Sequence, residues 1–170
     1  MGAVAAWGLS ALINAGLILP VTRVPVLTRS GWWHAWALGT LLGATLGWRG
    51  WLAVVLYLAL GSAVTKLGFA RKAELGIAEA RGGRRGPENV WGSAATGAAL
   101  ALLSQLPGAP THLLLVGFVA SFAAKLGDTC GSEIGKRWGR TTISLSRLQV
   151  VTPGTEGAVT SEGTPARPAG

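Results

Sequence analysis

The chain has 170 residues, of which 49% are hydrophobic and only 13% charged, with 26 Gly, 8 Trp and a formal net charge of +8. Soluble domains carry about one-quarter charged residues, so this composition excludes an ordinary soluble fold. It also argues against a nucleic-acid module, whose cations would not stand outside long apolar runs. The single cysteine, Cys130, excludes an internal disulfide framework and a multi-cysteine metal site.

Five apolar spans follow one another: Ala3–Val21, Trp32–Gly47, Trp51–Thr65, Val90–Leu106 and Thr111–Gly127. The first has the look of a secretory leader, but Met1–Ser10 holds no Lys or Arg, so it reads as a retained helix. Pro20 and Pro25 close it, and Pro107 and Pro110 divide the last two spans. The second and third spans are short for a bilayer that needs ~20 residues, and only Trp48, Arg49 and Gly50 part them. They are expected to form a tight helical hairpin, with one broken helix as the alternative. The fold class is therefore all-α, a polytopic membrane bundle of about five short helices with inner-side loops.

Charge sets the expected orientation. With five spans, 13 of the 15 Lys and Arg fall on one side, Arg49 on the other, and Lys125 within the last span. The positive-inside rule then puts the amino terminus outside and the tail on the cytoplasmic side of a bacterial or cyanobacterial membrane. All seven acids, from Glu74 to Glu162, lie on that inner side or at its edge. Trp32, Trp33, Trp36, Trp48, Trp51 and Trp91 sit near span ends, as interfacial indoles do. His34 and His112 read as interfacial polar residues, not ligands.

The chemistry concentrates in three stretches. After the fifth span, Gly127, Gly131, Gly135 and Gly139 recur every four residues, a smooth stripe for close helix approach, including by a second copy of the chain. On the same helix Ser121, Lys125, Asp128, Ser132 and Lys136 project within roughly 80°, with Thr129, Glu133 and Arg137 in the neighbouring row. Carboxylates for Mg²⁺, hydroxyls and cations for phosphate thus share one helix end, where ionisable groups beside hydrocarbon are functional candidates. Second, Pro153–Thr164 is a Gly/Thr-rich loop able to cradle a phosphate, with Glu156 or Glu162 for a metal; it is not a Walker A loop. Third, Arg85-Gly86-Pro87-Glu88-Asn89 places a cation, an acid and an amide at a span start, where a lipid phosphate would sit.

Taken in order, Lys66 with Lys72, Arg85-Gly86-Pro87-Glu88-Asn89-Val90, Asp128-Thr129 with Ser132-Glu133-Ile134-Gly135, and Pro153-Gly154-Thr155-Glu156-Gly157 resemble a known family. It is the integral-membrane phytyl-phosphate kinase family of plastids and cyanobacteria, distantly similar to dolichol and phytol kinases and to phosphatidate cytidylyltransferases. The resemblance covers nearly all of the chain. It implies transfer of a phosphoryl group from CTP, or another nucleoside triphosphate, to an isoprenyl monophosphate in the tocopherol and phylloquinone pathway.

By this resemblance Asp128, Glu133 and Ser132 are catalytic, and Asp128, Glu133 and Glu156 hold Mg²⁺. Lys66, Lys72, Arg85, Asn89, Lys136, Arg137, Gly154, Thr155 and Gly157 meet phosphates, and the phytyl tail lies between the apolar helices of the bilayer. Cys130-Gly131 departs from the family's usual Trp-Ala, and Ser93 stands where Asn is often found. Similar proteins continue with further membrane helices, whereas residues 165–170 are Pro-rich and cannot extend one. Residues 1–164 are expected to form one membrane domain, cut short at its carboxyl end. The alternatives are cytidylyl transfer onto a lipid phosphate and a non-catalytic membrane fragment or scaffold; a transporter is disfavoured because its ionisable groups would sit at the midplane.

Overall fold

A computed structural model describes residues 2–139, 141–144, 146, 148–152, 155 and 158–160. Five α-helices carry most of the described chain: α1 Ala3–Val21, α2 Arg29–Lys66, α3 Phe69–Glu74, α4 Pro87–Leu103 and α5 Thr111–Trp138. Three short strands follow: β1 Thr142–Ser144, β2 Gln149–Val151 and β3 Ala158–Thr160. Three of the helices, α1, α2 and α5, are long and apolar enough to cross a membrane. Large apolar side chains such as Val4, Leu12, Leu19, Leu113 and Val119 stand exposed along α1 and α5, which is lipid-facing surface.

The chain divides into two compact units. The first comprises residues 1–58 and 84–122. In it α2 is interrupted at Gly47, whose φ of 67° and ψ of −158° are open to glycine alone. The chain doubles back there: a Cβ on Gly50 would meet the Leu42 carbonyl oxygen at 3.1 Å, although eight residues of straight helix span ~12 Å. Asn14 of α1 ties both arms of this hairpin, its Nδ2 donating to the Trp36 carbonyl at 2.7 Å and its Oδ1 accepting from Trp51 Nε1 at 2.9 Å. Ser10 donates to the Thr40 carbonyl at 3.0 Å, and Gly39 and Gly43 leave the room these side chains need. Small residues on one helix facing polar groups on another are the usual glue where hydrophobic contrast with lipid is missing.

Helix α4 begins at Pro87, whose missing N–H costs nothing in a first turn, and the Asn89 Oδ1 accepts from the Gly86 N–H at 3.0 Å. Its buried face is Ala94, Gly97, Ala98 and Ala101, so α5 approaches closely, with Phe122 against Gly97. Phe118, Phe122 and Tyr57 stack edge to face at 5.1 and 5.8 Å between centroids and fill the core beside Leu38 and Leu42.

The second unit comprises residues 59–83 and 123–170. It holds the end of α2, helix α3, a 3-10 turn at Ala80–Gly83, the last part of α5 and an antiparallel sheet of order β2-β1-β3. Thr142, Ile143 and Ser144 pair with Val151, Val150 and Gln149 on one side and with Thr160, Val159 and Ala158 on the other. This sheet adds to the helical class anticipated from sequence. Its strands are three residues long and set among Gly, Pro and Ser, too short for an alternation to register.

Candidate functional site

At 28 residues, or ~42 Å, α5 is longer than the ~30 Å of bilayer hydrocarbon, so its polar end has the length to extend past it. That end carries Asp128, Ser132, Glu133, Lys136 and Arg137. Glu133 is buried at 3% exposure, and both its oxygens are taken. Lys72 of α3, 1% exposed, donates to Oε2 and also to the Thr65 carbonyl at 2.7 Å. Lys136 donates to Oε1 at 3.0 Å and to Glu79 at 3.1 Å. Two lysines and two glutamates thus neutralise one another around α3 and the segment that follows it. Buried charge is tolerated only when paired in this way, so the network pins the Lys72 and Glu79 segments to α5.

This arrangement assigns Glu133 a different part from the one expected. In this structure its carboxylate is the counter-ion of two ammoniums, one on each oxygen. Lys72 is equally committed, and its burial closes it to a phosphate. Asp128 differs: its side chain is 54% exposed, with the Lys125 ammonium 3.9 Å away. Asp128 and Glu133 are five residues apart, ~140° round the helix, and are not brought together. Among the described residues no group of three or more His, Cys, Asp or Glu could hold a metal ion. Mg²⁺ commonly takes one or two carboxylates plus substrate phosphates, a sparse mode open to the exposed Asp128, whereas Glu133 is already paired with two lysines.

Among the expected phosphate ligands, Lys66 is exposed at the end of α2. The Arg137 side chain lies against Gly68, two residues on, and stacks 5.2 Å over Trp138. Gly68 is left-handed at φ 64°, so a side chain there would be both strained and in the way of Arg137. Ser132 is exposed on the same helix. Thr155 is exposed, its hydroxyl donating to the Thr152 carbonyl at 2.7 Å. Gly154, Glu156 and Gly157 lie outside the described residues.

Two glycines of the stripe meet the chain's own sheet. Gly127, Gly131 and Gly135 are buried, and a Cβ on Gly135 would lie 2.6 Å from the Thr160 hydroxyl of β3. Gly139 meets the same threonine, with its methyl at 2.7 Å.

Arg85 and Asn89 belong to the first unit. The Arg85 backbone pairs with Val26 and Thr28, its N–H donating at 2.9 Å and its carbonyl accepting at 3.0 Å. Its guanidinium donates to the Tyr57 hydroxyl at 3.1 Å, and Tyr57 donates in turn to Ser93 at 2.6 Å. Asn89 uses its oxygen to cap α4, a structural duty. His34 accepts from the Trp91 indole at 2.8 Å, and His112 is exposed. The sequence reading passed over Asn14 and Tyr57. A lone amide inside an apolar span was the available signal for Asn14.

The model of the family described as "Integral membrane protein DUF92" matches residues 12–170. The chain belongs to that family. It is 48% identical over 161 residues to the "Uncharacterized membrane protein sll0875" of Synechocystis sp., covering 93% of this chain and 62% of that protein. It is 46% identical over 141 residues to "Protein VTE6, chloroplastic" of Arabidopsis thaliana, covering 81% of this chain and 42% of that protein. The chain thus spans less than two thirds of the length of either. No solved structure matches it significantly. Membership makes the chain an integral membrane protein, associated with the bilayer through its apolar helices.

Proposed function

We propose that this protein phosphorylates an isoprenyl monophosphate, phytyl phosphate foremost, to the diphosphate, with CTP or another nucleoside triphosphate as donor. The order of motifs that resembles the phytyl-phosphate kinases supports the reading, and so does the similarity to a cyanobacterial and a chloroplast protein. The observation that carries it is the charge left over at the second unit. Lys72, Glu133, Lys136 and Glu79 cancel one another, leaving Lys66, Arg71 and Arg137 of this unit without an ion pair among the described residues. Such surplus cations suit a polyphosphate.

In the reaction an oxygen of the acceptor phosphate attacks the γ-phosphorus of the donor. The bond from that phosphorus to its bridging oxygen breaks, and the nucleoside diphosphate leaves with the pair. Little covalent help is needed, so the protein's task is to position the groups and neutralise charge. Lys66 and Arg137 would bind donor phosphates, and Asp128 would hold Mg²⁺, which supplies further neutralisation when bound. Glu133 positions Lys136 and α3 without touching a reactant. The sidedness of the charges supports an outside amino terminus and a donor taken from the cytoplasmic side.

The test is to incubate membranes containing the chain with CTP, Mg²⁺ and phytyl monophosphate. Phytyl diphosphate with CDP is the expected product pair. Pyrophosphate in place of CDP would make the protein a cytidylyltransferase, and no turnover of either kind would overturn the enzymatic reading.

A further inference from the structure

The first unit holds a partly open apolar cavity of about 280 Å³, lined by α1, both arms of the α2 hairpin and the start of α4. It runs from Arg85 and Trp32 at one end to Asn14 and Trp51 at the other, past Leu38 and Val55. Seven residues of helix separate those ends on α1 and on each arm, making it ~10 Å long, much of the ~15 Å that one leaflet's hydrocarbon occupies.

The polar groups at the two ends differ in kind. Asn14 is saturated by Trp36 and Trp51, so the far end asks nothing of a ligand. At the near end Arg85 has only a neutral phenol as side-chain partner and forms no ion pair among the described residues. The Trp32 indole N–H is buried there without an acceptor among the described residues. An arginine without a carboxylate and a buried indole N–H without an acceptor, carried by two residues that line the same apolar slot, leave it short of one anion.

We infer that this cavity seats a single isoprenyl chain by its phosphate end, with the monophosphate on Arg85 and the Trp32 N–H and the first isoprene units between α1 and the hairpin. The identity of the lipid rests on the kinase reading above; the anionic head and apolar tail rest on the cavity itself. A slot of this size takes a single apolar chain. The Arg85–Tyr57–Ser93 hydrogen-bond chain holds the guanidinium in place.

The experiment is photolabelling in membranes, without nucleotide, using a diazirine-bearing analogue of phytyl monophosphate. Labels are expected on the wall around Leu38, Val54 and Val55, displaced by phytyl monophosphate but not by phytol, inorganic phosphate or dioleoyl phosphatidate. Arg85→Gln should weaken displacement by about tenfold, the scale of one charge-assisted hydrogen bond, with Arg85→Lys recovering part of it. Trp32→Phe removes only the N–H and gives a second reading should Arg85→Gln fail to fold. Val55→Trp should fill the slot and abolish labelling. Equal displacement by phytol, by inorganic phosphate or by phosphatidate would overturn the proposal, as would undiminished binding in both head-end variants. Labelling that persists in a chain without kinase activity would sink the reaction and keep the seat; activity without labelling would do the reverse.

Discussion

Lys72 and Glu133 meet as an ion pair in which neither side chain is more than 3% exposed, and the second oxygen of Glu133 holds Lys136 at 3.0 Å. An acid so placed is an architectural group, because removing it strands a buried ammonium. Glu133→Gln should therefore destabilise the protein by about 3–5 kcal/mol in equilibrium unfolding in mild detergent. The joint change Lys72→Met with Glu133→Leu should recover most of that loss. Unchanged stability in Glu133→Gln would return the residue to the list of metal ligands.

Asp128 should behave in the opposite way. Its carboxylate is 54% exposed, so Asp128→Asn should cost less stability than Glu133→Gln. Kinase turnover in membranes should fall about a hundredfold or more, the scale on which one charge-stabilising group acts, and should demand higher Mg²⁺. Normal turnover in Asp128→Asn would remove the metal assignment.

Gly47 is required by its backbone. Replacing it with Ala should cost about 1–3 kcal/mol, since φ 67° with ψ −158° has no counterpart in residues with a side chain. Cysteine pairs reporting on the approach of Gly50 to Leu42 should cross-link less readily in Gly47→Ala. Equal cross-linking would show that the turn tolerates a different conformation.

Gly135 and Thr160 form a steric pair, and their variants should not be additive. Gly135→Val places carbon where the Thr160 hydroxyl lies and should cost about 1–3 kcal/mol while exposing β3 to protease. Thr160→Ala should lessen that cost in a double-mutant cycle. Additive energies would mean that the strand moves away from α5 in the variant.

Much of this protein was written in local sequence. Apolar run length fixed the membrane class, because twenty or so residues without charge have no other stable home. The fourth span, read from Val90, begins three residues earlier as α4 at Pro87, and the break expected at Trp48–Gly50 falls at the adjacent Gly47. The motif order was enough to suggest the family. Short-range pattern could not say which charges would find one another. Lys72 and Glu133 are 61 residues apart, and the same Glu reads as a metal ligand or a counter-ion until α3 folds onto α5. The glycine stripe was equally visible as a contact surface, yet only the return of β3 made Thr160 its partner. The anion-seeking end of the cavity needed Trp32, Tyr57 and Arg85 from three separate stretches of chain. Helix formation and membrane insertion depend on neighbours along the chain, whereas pairing of buried charge and the shape of an empty space depend on neighbours across it.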